Sequence, residues 1–343
     1  MIRVSAGTAA ALKLLDWKTE EKPTTAYLLH TVNTYGKEEK CLCSCGFCPQ
    51  GGAGGETGNR LSRVTWPAFK REDILLKLAR ADNAGLERIC LQGIRQREGI
   101  TPLAHKLHLL KNTVSLPISV SAWLKDISEV ERLMEEGAER VSIALDAAES
   151  HSYYGVKGGS LQDRLHLLFE AVRIYPGRIT THLIRGLGET EEDFLRMAYR
   201  CLEKGIKVAL FAFTPVRGTA LASWSSPGLD SYRRVQAALY LLESGKCLFS
   251  SFSFKKGKLV SINMDQEELR KALNEGRAFQ TNGCPGCNRP FYNERPGRTP
   301  YNYPRPLYKK EVENNFDLLW RSMEYRHNVE SSAGTAPKEG EIK

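Results

Sequence analysis

The chain has 343 residues, 41% of them hydrophobic, and a formal net charge of +9. That length accommodates one large α/β barrel or two smaller domains, and no run of 18 apolar residues is present, which excludes a membrane-spanning helix. Nine cysteines, an odd and clustered set, argue against a disulfide frame and for metal ligation in a reducing cytoplasm.

Residues 1–24 read as a helix over about 5–15 and a connector, without the basic region of a signal peptide. Thr25 to Val32 is apolar and β-prone, which gives the first strand. It runs into Cys41-Leu-Cys-Ser-Cys-Gly-Phe-Cys48 and the glycine run of 51–55, either a flexible loop or a close approach of backbone to a cofactor. A helix is expected from Pro67 to Ala84, with proline in its first turn and Gly85 as its stop. Further strands are expected at 87–92, 117–122, 140–146, 179–184 and 208–213. Helices fall at about 102–111, 126–137, 160–174, 190–204 and 230–243, with Asp126/Glu129 and Thr190/Asp193 as capping pairs. Six β/α units at spacings of roughly 25–35 residues imply a parallel sheet with helical crossovers. The fold class is therefore α/β, a partial (β/α)6 TIM-like barrel over 25–245, with chemistry at the carboxyl ends of its strands. Residues 246–326 make a C-terminal extension: a capped helix at 265–276, a cysteine turn, an extended run from Arg295 to Pro306 and a helix over 310–325. Residues 327–343 are polar and small and are expected to be disordered.

Four of the nine cysteines lie within residues 41–48, and Cys41, Cys45 and Cys48 stand in a C-x3-C-x2-C spacing with Phe47 before the last. Iron–sulfur clusters are held by thiolates at such short spacings; a structural zinc knot or chance clustering are the alternatives. A missing fourth ligand leaves a position for a substrate or cofactor. The motif resembles the signature of the radical S-adenosylmethionine (radical SAM) superfamily. The resemblance implies a [4Fe–4S] cluster on the three cysteines, with the amino and carboxylate groups of SAM on its fourth iron. One electron, from a reductant such as ferredoxin or flavodoxin, then cleaves SAM to methionine and a 5′-deoxyadenosyl radical. Cys43 departs from the minimal pattern and is either a bystander thiol or a ligand to a second cluster.

The same resemblance assigns candidates along the strand ends. Gln92, where the family often carries a glycine-rich acidic motif, is a candidate SAM contact. Ser121 on the third strand is another, with Ser119 on the same strand. Asp146 ends the fourth strand, where a carboxylate suits a ribose diol; a helix cap is the other reading. His182-Leu-Ile-Arg-Gly-Leu-Gly-Glu189 resembles the family's G-x-I-x-G-x-x-E motif with His182 in place of the first glycine, so Ile184 and Leu187 are candidate adenine contacts. Glu189 is either part of that motif or a first-turn acid. Arg185 and Arg217 either hold a carboxylate bidentately at the rim or form surface salt bridges.

Cys284-Pro-Gly-Cys287 forms a second cysteine turn. A C-x2-C turn places two sulfurs on one metal; a thioredoxin-type redox pair is the rival, but its βαβ context is missing. An auxiliary [4Fe–4S] cluster ranks ahead of zinc, with Cys43 as the preferred third ligand and Cys90 and Cys201 read as core thiols. The segment from Thr281 to Asn293, after a biotin synthase-like barrel, resembles the two-protein type of lipoyl synthase. That resemblance implies sulfur insertion into a protein-bound octanoyl chain, with the auxiliary cluster as sulfur donor. An octanoylated lipoyl-carrier domain, commonly acidic, and a second radical SAM subunit would then be partners. The rivals are a peptide- or cofactor-maturing radical SAM enzyme whose auxiliary cluster carries electrons, a plain Fe–S carrier, and RNA modification. Basic residues interspersed with acids make nucleic acid an unexpected partner.

Overall fold

A computed structural model describes residues 1–31, 33–34, 37–51, 59–80, 84–294 and 297–324. Val32, residues 52–55 of the glycine run, residues 81–83 of the expected helix, residues 295–296 of the extended run and the tail from 325 onward lie outside the described residues.

One eight-stranded sheet organises the chain: β1 (Ile2–Val4), β2 (Thr25–His30), β3 (Ala68–Phe69), β4 (Arg88–Gly93), β5 (Ile118–Ala122), β6 (Arg140–Ser142), β7 (Ile179–Arg185) and β8 (Lys207–Ala212). Its order is β8-β7-β6-β5-β4-β2-β1-β3. The six strands from β2 to β8 that flank one another are parallel, and β1 runs antiparallel to both β2 and β3. Crossover helices are α3 (Thr101–Lys111), α4 (Ile127–Glu135), α6 (Leu161–Ile174), α7 (Glu191–Leu202) and α8 (Leu229–Glu243). This is a partial, six-unit β/α barrel.

Side-chain alternation explains the curl. Ile89 and Leu91, Ile118, and Val208 and Leu210 are buried outside the cavity lining. Their neighbours of opposite parity, Cys90 and Gln92, Ser119 and Ser121, and Lys207, Ala209 and Phe211, line an interior cavity. A strand presents alternate residues to opposite faces, so each strand carries an apolar outer row and a largely polar inner one.

Three local expectations needed correction. The N-terminus enters the sheet as β1, with Arg3 paired to Leu29 and to Ala68, and only Ala6–Ala11 is helical, capped by Ser5. The helix expected from Pro67 is confined to Arg71–Leu78, because β3 takes Ala68 and Phe69 as a ladder partner for β1; tertiary pairing outweighs a proline start signal. A helix over Ser150–Lys157, here α5, lies in a stretch to which the sequence analysis assigns no element; the Glu149 carboxylate caps it, accepting from the backbone of His151 and Ser152. Beyond α8, Phe252–Lys255 and Lys258–Ile262 form a hairpin, β9 and β10, around Lys256-Gly257, both at positive φ as a tight primed turn requires. The proline-rich run near 300 is fixed to α8 by fully buried Arg233, which donates to the carbonyls of Pro300 and Tyr301.

Candidate active site

The inner face of the barrel encloses a cavity of about 290 Å³. Cys45, Phe47 and Cys48 face it from the carboxyl ends of the strands, and Cys284 and Cys287 face it from the amino ends. The inner walls between them are the alternating positions of β4, β5, β7 and β8, including Gln92, Ser121, Ile184 and Phe211.

The loop 41–51 is held from several sides. Leu42 N donates to Arg95 O (2.8 Å), Gly46 N to Val156 O (2.7 Å) and Leu221 N to Gly46 O (2.9 Å). Cys41 N donates to Gln50 O (3.1 Å) and Gly51 N to Cys48 O (3.1 Å), closing the loop on itself. A Cβ at Gly51 would stand 3.2–3.3 Å from the carbonyls of Cys43, Cys45 and Cys48, so a larger residue there would press on the cysteine loop. All nine cysteines are free thiols. Burial pushes Cys48 up to about 12. A hydrogen bond with Cys43, then burial, raises Cys41 as well. These are protonated thiols, and metal binding must release their protons. Among the described residues no three His, Cys, Asp or Glu side chains stand in a closed metal-ligand set. The donor chemistry nevertheless fits an iron–sulfur cluster: three soft sulfurs on one braced loop, two of them facing the cavity.

Below that loop, Asp146 sits at φ +64° and is held on both sides. Lys157 Nζ is 2.7 Å from Oδ2 and His182 Nε2 2.8 Å from Oδ1. Lys157 also donates to Ala144 O (2.6 Å). Burial alone would raise the Asp146 carboxyl, but Lys157 and His182 outweigh it and hold it well below the usual range. Asp146 is therefore not a helix cap, and both oxygens are already engaged; it still faces the cavity, and a carboxylate keeps further acceptor capacity. Lys157 and His182 escaped the sequence reading because α5 did and because His182 was seen only as a missing glycine.

At the end of β7, Ile184 faces the cavity but Leu187 does not; it is fully buried, and its backbone N donates to Glu189 Oε2 (2.9 Å). Arg185 turns away too. Its Nη1 donates to Glu189 Oε1 (2.6 Å) and its Nη2 to Ser231 Oγ (3.1 Å). The Glu189 carboxylate also accepts from Gly186 N (2.8 Å). Arg185 and Glu189 thus lock the turn that ends the strand, and α7 takes Thr190 and Asp193 as its capping box. Arg217 is exposed and outside the cavity lining. The adenine contact at Leu187 and the rim carboxylate site at Arg185 and Arg217 are corrected accordingly.

The turn Cys284–Cys287 closes the floor. Asn282 Nδ2 donates to Val208 O (2.9 Å) and its Oδ1 accepts from Leu210 N (2.8 Å), satisfying the free edge of β8 as a ladder strand would. Arg88 Nε donates to Pro285 O (2.8 Å), Thr24 Oγ1 to Gly286 O (2.6 Å) and Thr24 N to Asn288 Oδ1 (3.0 Å). The two asparagines flanking the cysteines were the signal for this docking. Cys43 cannot join the pair, since it belongs to the loop at the opposite mouth. The strand between the Cys90 level and Gly93 alone spans about 10 Å. Cys201 is buried in α7, as read, but Cys90 faces the cavity.

No family model matches the chain. It is 27% identical over 201 residues to the biotin synthase of Acaryochloris marina (strain MBIC 11017), covering 57% of this chain and 55% of that protein. It is 26% identical over 211 residues to the biotin synthase of Rhodopirellula baltica, covering 57% and 56%. The match thus spans little more than half the length of these curated relatives. In fold, HydG, a maturase of the [FeFe]-hydrogenase, superposes with a TM-score of 0.51 at 12% identity over 64% of this chain and 50% of HydG. HydG from Carboxydothermus hydrogenoformans gives 0.50 at 16% identity over 73% and 56%. No helix among the described residues is long and apolar enough to cross a membrane. The chain is thus similar in sequence to biotin synthases over 57% of its length and similar in fold, at its β/α barrel, to the HydG maturases.

Proposed function

We propose that the chain inserts sulfur at an unactivated carbon, with the SAM-binding [4Fe–4S] cluster on Cys41, Cys45 and Cys48 and an auxiliary cluster on the Cys284–Cys287 turn. The observation that carries this reading is a single cavity with thiols at both ends. A plain Fe–S carrier has no use for such a chamber. When bound, SAM and its cluster supply the 5′-deoxyadenosyl radical, which removes a hydrogen atom that no side-chain base could take as a proton. An auxiliary cluster held by the Cys284–Cys287 turn would supply the sulfide for the new C–S bond, with one of its ferric ions taking up the electron released as that bond forms.

The chain's own residues bind, orient and shield. Phe47, Gln92, Ser121 and Ile184 line the upper chamber as the SAM contacts. Asp146, kept ionised by Lys157 and His182, offers its remaining lone pairs to hydroxyl donors there. Phe211, Phe213 and Tyr292 supply apolar wall that excludes water from a reactive intermediate. The substrate in this reading is an octanoyl chain on a lipoyl-carrier domain, processed together with a second radical SAM subunit. A carrier of acidic surface would be drawn to a chain of charge +9, an attraction that sets on-rate more than affinity.

The test uses anaerobically reconstituted protein, SAM, a reductant and an octanoylated lipoyl-domain peptide. Cys284→Ala/Cys287→Ala is expected to keep SAM cleavage and lose the thiolated peptide, and protein reconstituted with ³⁴S-sulfide is expected to transfer the label. Labelled product from the double variant would overturn the reading. A maturation reaction in which the second cluster carries electrons uses the same two-ended cavity, and unlabelled product from ³⁴S-loaded wild-type protein would favour it.

A further inference from the structure

We infer that Cys90 is the third thiolate of the floor site, joining Cys284 and Cys287 around an iron–sulfur cluster; this deepens the sulfur-insertion reading and rests on its auxiliary cluster. Strand register carries the inference. Tyr27 pairs with Cys90 across β2 and β4, and Cys90 pairs with Ser119 across β4 and β5. The three form one lateral row, with neighbouring strands about 4.8 Å apart, and all three line the cavity. Tyr27 Oη stands 3.4 Å from Cys287 Sγ, and Ser119 Oγ stands 3.6 Å from Cys284 Sγ. Cys90 lies between the two residues that touch the two sulfurs of the turn. Its thiol and that of Cys287 pack against the same apolar cluster, Tyr27, Leu29 and Trp66.

Donor chemistry then selects the class of group. Three sulfurs without an imidazole suit an iron–sulfur cluster or zinc. A structural zinc site closes on four protein ligands. Beyond these three thiols, the ligand-type side chains lining the cavity are Cys45 and Cys48 of the loop and the mutually paired Asp146 and His182, so the fourth position opens into the chamber. Charge agrees with an anionic occupant. Arg289 lines the same floor, with its guanidinium 3.8 Å from the Phe211 ring centroid and Nη2 donating to Asn282 O at 2.6 Å. It has no carboxylate within salt-bridge distance among the described residues. Its backbone N–H donates to Tyr27 Oη (3.0 Å), which continues to Cys287. A cation without a counter-ion beside three thiols is the setting for a thiolate-ligated cluster, whose charge and hydrogen bonds such neighbours tune.

The experiment begins from the full chain carrying Cys41→Ala, Cys45→Ala and Cys48→Ala, reconstituted anaerobically, with iron, zinc and sulfide counted and Mössbauer and EPR spectra recorded. This background is expected to keep about four irons. Adding Cys90→Ala is expected to reduce that to less than about one, and adding Cys43→Ala to leave it unchanged. Circular dichroism and a thermal melt establish that each variant folds. Should Cys90→Ala not fold, Cys90→Ser replaces it, and its oxygen ligand is expected to shift the EPR spectrum of the reduced cluster. Full iron with unaltered spectra in the Cys90 variants overturns the third ligand and leaves the sulfur-insertion reading standing. No iron in the background with Cys90 intact removes the auxiliary cluster and that reading with it. Stoichiometric zinc in place of iron overturns the class of site.

Discussion

His30, the last residue of β2, is buried, and neither ring nitrogen has a hydrogen-bond partner among the described residues. Burial, with a smaller push from Lys106, lowers its pKa to about 3, whereas an unfolded histidine titrates near 6.5. Between those values the unfolded chain binds the extra proton, so stability falls as pH drops from about 6.5 toward 3, at about 1.4 kcal/mol per pH unit. His30→Leu is expected to flatten that slope in urea midpoints measured from pH 7 to pH 4.5; an unaltered slope would show that the ring is not held neutral. Asp146 is held charged where His30 is held neutral, and it too loses stability on acidification. Its carboxylate contributes stability above about pH 3.9, lost only as pH falls through its lowered folded value. Asp146→Asn tolerates the left-handed backbone but strands the Lys157 ammonium, and is expected to lose about 3–5 kcal/mol. Adding Lys157→Met should restore much of it, as read by chemical denaturation; no recovery would place the role of Asp146 elsewhere. The two sites differ in how far they were legible. Cys41, Cys45 and Cys48 are readable because three residues on one loop fix their own spacing. The partners of Asp146 and of Cys90 are not, because sheet register brings together residues that the sequence separates.

Among elements, those whose ends carry local chemistry were the easiest to foresee. The Thr190–Asp193 capping box starts α7 where it was expected, and Gly245 follows the end of α8. Elements defined by a distant partner were missed: β1 exists because Leu29 and Ala68 pair with Arg3, and α5 is tied down by Val156 O, which accepts from Gly46 N of the cysteine loop, and by Lys157 on Asp146. The joint of α7, α8 and the β9–β10 hairpin is also of this second kind. Glu191, buried at the start of α7, accepts from Arg234 Nη2 (2.6 Å) and Nε (2.9 Å), Ser231 Oγ (2.7 Å) and Leu259 N (2.9 Å). Glu191→Ala leaves a buried guanidinium and an unsatisfied strand amide, and is expected to cost about 3–5 kcal/mol. Arg234→Met is expected to cost a similar amount, and the double variant clearly less than the sum, since paired residues couple. Strict additivity in denaturant melts would show that the three elements do not depend on this carboxylate.

For the molecule as a whole, the C-terminal extension crosses back beneath the barrel and makes its floor, so the two cysteine groups, more than 200 residues apart in sequence, share one chamber. That arrangement makes the middle of the chamber a test of whether its ends cooperate. Ser142 lies there, paired with Ser121 on β5 and Thr180 on β7, and lines the cavity without belonging to either thiol group. Ser142→Phe adds a ring to the cavity and blocks a chain reaching from one mouth to the other, while leaving the cysteine loop and the floor turn in place. The expected outcome is normal iron content, normal reductive SAM cleavage without substrate, and thiolated product reduced at least about tenfold, a barrier increase of about 1.4 kcal/mol. If a cluster held at the floor only relayed electrons, the substrate would not need to reach it. Turnover would then depend on the upper chamber alone, and product from Ser142→Phe at the wild-type rate would rule out sulfur delivery through this cavity.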